Sequence, residues 1–445
     1  MIISINVTLV LLFALFIFNI MLIYGLLYCN RHCLNDNMNK ALLTKTNDMQ
    51  LRGSNRLTNG IYITSFSSSN YSSKVVKQMA FNNIDFTIGR WDNQRIYKMY
   101  DFALIGDEYK EAVRISCVCL ATQSSIERIH SIIQVAEHWN GPISLAVFIA
   151  GTDEFQILQY YITYLRVCFH RIRKNVVFHI AIPSNKVPKN AENKLTYSSL
   201  NCQYPERTLR KLLKFRSQET IQWRSKNVYP QNHMRNLARK GCQSRYVFLT
   251  DVDIIPSKNI VTHLNHFLQI NNCQNLCAFV IPTYEIDVRV RFPTSKKELI
   301  HLVKKGLARP FHEKVFIYNQ FATNFSRWES NTQLERETYI SHNVTNFEFL
   351  YEPFYVALDK VPAHDERFLG YGFTRNSQVY EMFISGYEFY VLSPVFTCHW
   401  GLQKKKSKPT WREQQNNVNR KRFEGFKHEI FARYGNNRYK KQKKP

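Results

Sequence analysis

The sequence predicts an α/β domain built on a largely parallel sheet, preceded by a transmembrane helix and a stem. Three observations predict it. Short apolar runs rich in Val, Ile and Phe alternate with stretches of helical periodicity from about residue 113 onward. An uncharged apolar run occupies the N-terminus. Between them, residues 29–110 are rich in Asn, Ser and Thr and show only weak apolar periodicity.

Composition sets the outer bounds. The chain has 445 residues, 44% of them hydrophobic and 14% aromatic, enough to build a sizeable core. A fully disordered chain is excluded. Its formal net charge of +26 suggests polyanionic company. Much of that charge sits in runs, Lys404-Lys405-Lys406 and Lys440-Lys441-Gln442-Lys443-Lys444, which read as solvated tail. No nucleic-acid reader motif accompanies it, so no nucleic-acid partner is expected. Ten cysteines scattered along the chain fit an oxidising compartment, with pairings not deducible from spacing. Only Cys273 and Cys277, and Cys117 and Cys119, lie close in sequence within the main domain, and no second pair follows at zinc-site spacing. No solenoid or propeller repeat is present.

From Ile2 to Tyr28 there is no charged residue, and residues 5–28 are long enough to span a bilayer. Without a short apolar core and a small-residue cleavage motif, this reads as an uncleaved signal anchor after a four-residue tail. Arg31 and Lys40 follow the segment and no basic residue precedes it, which favours a cytosolic body. Three sequons, at Asn70, Asn324 and Asn343, and the cysteine usage favour the lumen. The lumenal orientation is preferred. Residues 29–110 then form the stem, 111–435 the folded domain and 436–445 a basic tail.

Within the domain, strands are predicted at 113–120, 143–149, 176–182, 246–250, 277–281 and 391–397. Helices are predicted from Ser124, with a capping box to Glu127, then around 155–168, and over 230–240 with Pro230 in the first turn. In such sheets ligands bind beyond the carboxyl ends of the strands. Directly after the 246–250 strand come Asp251-Val252-Asp253. Two carboxylates there can hold a divalent cation, Mn2+ or Mg2+, beside a diphosphate. A turn or helix cap would need only one of them.

Phe248-Leu249-Thr250-Asp251-Val252-Asp253-Ile254-Ile255-Pro256-Ser257 resembles the metal-binding segment of the dystroglycan-type β-1,4-glucuronyltransferase family, which includes the second glycosyltransferase domain of LARGE. Further matches are Asn140-Gly141-Pro142-Ile143, Tyr229-Pro230-Gln231-Asn232-His233-Met234-Arg235-Asn236 and Tyr351-Glu352-Pro353-Phe354. The longest runs from Asp365-Glu366-Arg367-Phe368 through Gly370-Tyr371-Gly372 to Arg375-Asn376, followed by Gly386-Tyr387-Glu388 and His399-Trp400-Gly401. The resemblance covers roughly 113–402 and implies a GT-A-type fold in a type II Golgi membrane protein. It also implies inverting transfer of glucuronate from UDP-glucuronate to a xyloside-containing glycan acceptor. Asp251, Asp253 and His399 would then be metal ligands, and Arg235, Asn236 and Asp251 would lie near the donor.

The family usually has His-Lys-Gly where this chain has Trp400 in the middle, which removes a lysine able to meet diphosphate. Residues 284–350 diverge, and acceptor loops are expected there. Inversion needs a base for the acceptor hydroxyl, and Asp365 and Glu366 are the expected candidates, with Asp365 preferred; a helix N-terminus or a salt bridge with Arg367 would account for them equally well. Arg235 and Arg239, four apart on one helix face, could meet phosphate or carboxylate. Trp400, Tyr371 and Phe373 are candidate stacking rings. Other UDP-sugars, such as UDP-N-acetylglucosamine or UDP-galactose, and an inactive glycan-binding scaffold are the alternatives. Self-association into a homodimer is left open.

Overall fold

The structure, a computed structural model, describes residues 80–82, 84–189, 201–271, 276–331, 337–405 and 409–435. All of these belong to one compact unit, residues 58–445. The expected anchor at 5–28, the basic tail at 436–445 and the sequon at Asn70 lie outside the described residues. Among the described residues no helix is long and apolar enough to cross a membrane.

In chain order the strands are β1 (Arg90–Trp91), β2 (Tyr97–Leu104), β3 (Val118–Ser125), β4 (Ile143–Phe148), β5 (Val176–Pro183), β6 (Tyr246–Leu249) and β7 (Ile255–Pro256). They continue as β8 (Cys277–Val280), β9 (Thr283–Ile286), β10 (Ala308–Pro310), β11 (Tyr339–Asn343), β12 (Tyr355–Leu358), β13 (Glu388–Ser393) and β14 (Thr397–Trp400). Ten of them form one sheet in the order β1-β2-β5-β4-β3-β6-β12-β8-β13-β11, and four form a second, β10-β9-β14-β7.

The expectation of a largely parallel sheet needs correction, because the sheets are mixed. The run β5-β4-β3-β6 is parallel throughout. Every residue of β4 and β5 is buried, which is why both read as continuous apolar runs rather than alternating ones. Beyond β6 the order changes. Strand β12 enters antiparallel to both β6 and β8, and β2 adds antiparallel to β5 at the other side.

Three further expectations are corrected. The stem does not extend to residue 110, since β2 lies in the sheet with Tyr97, Met99 and Tyr100 buried. Its polar neighbours hid it in the sequence. The strand expected at 113–120 begins only at Val118, because Val113, Arg114 and Ile115 end a helix, Tyr109–Ile115, with an Arg114–Glu111 ion pair on its exposed side. The strand expected over 391–397 is interrupted at Pro394, which cannot donate to a ladder, so β13 and β14 belong to different sheets. After β3, which ends at Ser125, the chain passes through a 3-10 turn, Ile126–Ser131, before the helix Ile132–Trp139, and Ser124, the expected cap, instead donates its hydroxyl to Ser125 O.

The helix Gln231–Gly241, with Pro230 at its N-cap, packs on β3 and β4. Its end presses hard onto the sheet. A Cβ at Gly241 would stand 2.1 Å from His179 Nε2 and 2.4 Å from Ser144 Oγ, so only glycine fits. A disulfide from Cys119 in β3 to Cys242 locks the same junction.

Candidate functional site

Strands β3 and β6 lie side by side and parallel, so their carboxyl ends open at one place. Gln123, Ser124 and Ser125 come from β3, and Asp251 and Asp253 follow β6. Together with Arg128, Tyr229, Gln231 and Arg235 they line a cleft of about 260 Å3. This is where the parallel-sheet rule directs a ligand.

Asp251 is the electrostatic centre of the cleft. Its Oδ1 accepts from Arg375 at 2.8 Å and from Gln123 Nε2 at 3.3 Å, and Arg235 stands 3.5 Å away. Burial alone would raise its pKa, but the Arg375 and Arg235 charges and the hydrogen bonds from Gln123 and Arg235 prevail and hold it at about 2. Tyr229 donates its hydroxyl to Gln123 Oε1, leaving the Gln123 amide nitrogen for Asp251. Arg375 also lies over the Phe354 ring, 4.4 Å from its centroid, and reaches Leu249 O.

Asp253 faces different partners. Its Oδ2 accepts from Arg128 at 3.1 Å, and His399 Nε2 lies 3.7 Å away. Register explains the second contact: β14 pairs antiparallel with β7, Cys398 opposite Ile255, which sets His399 beside the residues just before β7. His399 Nδ1 is buried without a hydrogen-bond partner. A separation of 3.7 Å is long for a hydrogen bond and short enough for two donors to share a cation. Asp253 and His399 therefore fit a divalent metal, whose remaining ligands would come from outside the protein. Asp251 does not join them as closely. Among the described residues the set of three metal-ligand atoms lying within 4.8 Å of one another is Asp92, His233 and Glu366, away from this cleft.

His312 flanks the pair. It stacks on Phe311 at 3.8 Å, and Phe311 in turn lies 5.6 Å from His399. Burial first, then repulsion from His399, lowers the His312 pKa to about 4 against the pull of Asp251 and Asp253.

The other sequence-predicted residues are engaged elsewhere. Asn236 holds the neighbouring loop, donating to His364 O and Glu366 while its Oδ1 accepts from His364 N. Arg239 donates to Asp359, Val361 O and Pro362 O. The two expected bases do not line the cleft. Both Asp365 oxygens accept from Arg367, which also pairs with Glu429, and Glu366 meets Asn236 and His233. Trp400 donates its indole N–H to Gln134, Phe373 packs on Phe423 with a centroid distance of 5.0 Å, and Tyr371 lies under Arg412.

Three residues around the acidic pair were not singled out from sequence: Arg128, which lines the cleft, and Arg375 and Glu352, which do not line it but act on Asp251. Glu352 Oε2 accepts from Asn319 at 2.9 Å. Burial raises its pKa, with Arg375 and Arg235 opposing and Asp251 adding to the rise. Arg375 and Glu352 both stand inside recognisable motifs, so the signal was present without a partner to interpret it.

Residues 117–435 match the family model described as the glycosyl-transferase for dystroglycan. Human beta-1,4-glucuronyltransferase 1 is 34% identical over 326 residues, 72% of this chain and 76% of that protein. The same protein of Danio rerio is 31% identical over 327 residues, 71% of this chain and 74% of its own length. The human xylosyl- and glucuronyltransferase LARGE1 is 26% identical over 294 residues, 66% of this chain and 32% of that protein.

Proposed function

Because the chain belongs to the family of the glycosyl-transferase for dystroglycan, and so to the glycosyltransferases, we propose that it transfers glucuronate from UDP-glucuronate to a xyloside-containing glycan, with inversion and with a divalent metal, in a GT-A-type fold. One observation carries this reading. The cleft at the ends of β3 and β6 sets two carboxylates, Asp251 and Asp253, among three arginines, Arg128, Arg235 and Arg375. Such a charge pattern suits a nucleoside diphosphate and a cation together.

In this reading Asp253 and His399 would hold Mn2+ or Mg2+, and Asp251, kept ionised by its arginines, would complete the metal–donor set. The bound cation would supply Lewis-acid charge against the leaving UDP. Arg128, 3.1 Å from Asp253, would supply a further positive charge for the diphosphate. The base role passes from Asp365 and Glu366 to Glu352. Its carboxyl senses Asp251, Arg235 and Arg375, and a raised pKa suits a carboxylate that must accept a hydroxyl proton. Fixed in position by Asn319, it would take that proton as the acceptor oxygen attacks.

A lumenal site in the Golgi is part of the proposal, with residues 5–28 as the anchor. Support comes from the disulfides Cys119–Cys242 and Cys168–Cys202, which belong to an oxidising compartment. The sequon residues Asn324 and Asn343 are both exposed.

The test is UDP release by the purified full-length chain from a panel of UDP-sugars, with Mn2+ or EDTA and with or without a β-xyloside. Turnover of UDP-glucuronate that needs metal, rises with xyloside and is lost in Asp253→Asn is expected. Preference for another UDP-sugar would overturn the donor assignment. Metal-independent turnover would overturn the roles of Asp253 and His399.

A further inference from the structure

Away from the cleft, three side chains from distant parts of the sequence converge. Asp92 sits in the turn between β1 and β2, His233 in the helix Gln231–Gly241, and Glu366 in the loop after β12. One donor atom from each lies within 4.8 Å of the other two. His233 Nε2 is 3.4 Å from Asp92 Oδ2 and 3.6 Å from Glu366 Oε2.

Those distances favour a shared ion over hydrogen bonds. An N–H···O bond places its heavy atoms at about 2.7–3.2 Å. Two ligands of a tetrahedral zinc with bonds of about 2.1 Å lie about 3.4 Å apart, the edge of the tetrahedron. An octahedral magnesium with bonds of about 2.1 Å would bring them to about 3.0 Å. The His233 side chain is 2% exposed, and its Nε2 meets the two carboxylates only at the long distances.

The remaining carboxylate oxygens are oriented by the protein. Asp92 Oδ1 accepts from Tyr97 N at 2.7 Å, and Glu366 Oε1 accepts from Asn236 at 3.0 Å. Asp92 Oδ2 accepts a long contact from Gln94 N at 3.3 Å, which leaves it a lone pair for an ion, and Glu366 Oε2 is the other ligating atom. Glu366 is the most accessible of the three, its side chain 25% exposed, which gives an ion a way in and a water a fourth position.

We propose that Asp92, His233 and Glu366 form a zinc site separate from the cation site of the cleft, one that staples the segment before β2 to the helix Gln231–Gly241 and to the 364–375 loop. That helix and that loop carry Arg235 and Arg375, the two arginines on Asp251. The zinc is structural, and its position sets the cleft's walls without touching the reactants.

The test uses the full-length chain after exhaustive dialysis, reloaded with zinc chloride, with bound metal measured by mass spectrometry and melting followed by fluorescence. Wild type should hold one zinc that raises its melting temperature. Glu366→Gln and Asp92→Asn, which remove a ligand rather than an outer contact, should each bind zinc more weakly by at least about 100-fold. Asp253→Asn should bind it as wild type does. Zinc retained at wild-type affinity in Glu366→Gln, or lost in Asp253→Asn alone, would overturn the assignment. So would a wild type that takes up no zinc and melts at the same temperature with and without it.

Discussion

Arg375 donates to Asp251 Oδ1 across 2.8 Å, joining residues 124 positions apart in the sequence. The guanidinium is almost fully buried, held between the carboxylate and the face of Phe354. A planar, always charged group suits both contacts, and lysine would keep the charge while losing the fork and the ring contact. Arg375→Lys is therefore expected to lower kcat/KM on the order of 100-fold, because Asp251 loses its orientation. Steady-state kinetics with UDP-sugar varied would show it. Wild-type kinetics in Arg375→Lys would mean that charge alone suffices.

Glu352 offers a different signature. If it takes the acceptor proton, Glu352→Gln should lower kcat about 10²- to 10⁴-fold while leaving UDP affinity near wild type. Glutamine can still accept from Asn319, so the fold should survive the change. A loss of UDP binding with unchanged kcat would assign Glu352 to holding the loop rather than to chemistry.

Much of the cleft was legible in the sequence, and the reason is local. Asp251 and Asp253 follow an apolar strand directly, and two carboxylates at a strand end are visible without any tertiary contact. His399 was reachable only through resemblance, because its place beside Asp253 comes from the β14–β7 register, which no local pattern encodes. Asp365 and Glu366 could not be assigned from sequence, because a polar turn rich in acids looks the same whether its charges face a cleft or an arginine such as Arg367. Arg375 sat in a quoted motif, but its partner lies on another strand. The mixed sheet was hidden for the same reason: a buried strand such as β12 carries no mark of its direction.

Histidine burial sets the acid limit of the fold. His179 is fully buried; its Nδ1 accepts from Phe102 N at 2.9 Å and its Nε2 lies 3.1 Å from Ser144 Oγ, whose own proton goes to Ala238 O. The folded ring is thus neutral, with Nε2 as the donor. Burial lowers its pKa to about 4, and His138 is lowered to about 4 for the same reason. Between pH 6.5 and 4 the unfolded chain binds the additional protons, so stability falls as pH falls through that window. The loss from His179 is on the order of 3 kcal/mol by pH 4. Glu352, with its raised pKa, pulls the other way, while Asp251, held at about 2, stays ionised throughout. Melting temperature should drop steadily from pH 7 to pH 5, and a flat profile would contradict a neutral buried ring.

The disulfide Cys119–Cys242 links stability to the cleft. It spans 123 positions and ties β3 to the end of the helix Gln231–Gly241. Gln123 lies four residues beyond Cys119, and Arg235 belongs to the helix that Cys242 ends, so the bridge fixes the spacing of two groups that meet on Asp251. Replacing both cysteines by serine should cost about 2–4 kcal/mol of stability. It should also raise KM for the UDP-sugar, because Gln123 and Arg235 lose their fixed separation. The bridge Cys168–Cys202 ends the long helix Gly151–Cys168 outside the cleft, so its double serine variant should lower the melting temperature and leave KM unchanged. Calorimetry and donor-saturation kinetics on the two variants separate these effects. Equal KM values in both would show that the helix alone, pressed onto the sheet at Gly241, already holds Arg235 in place.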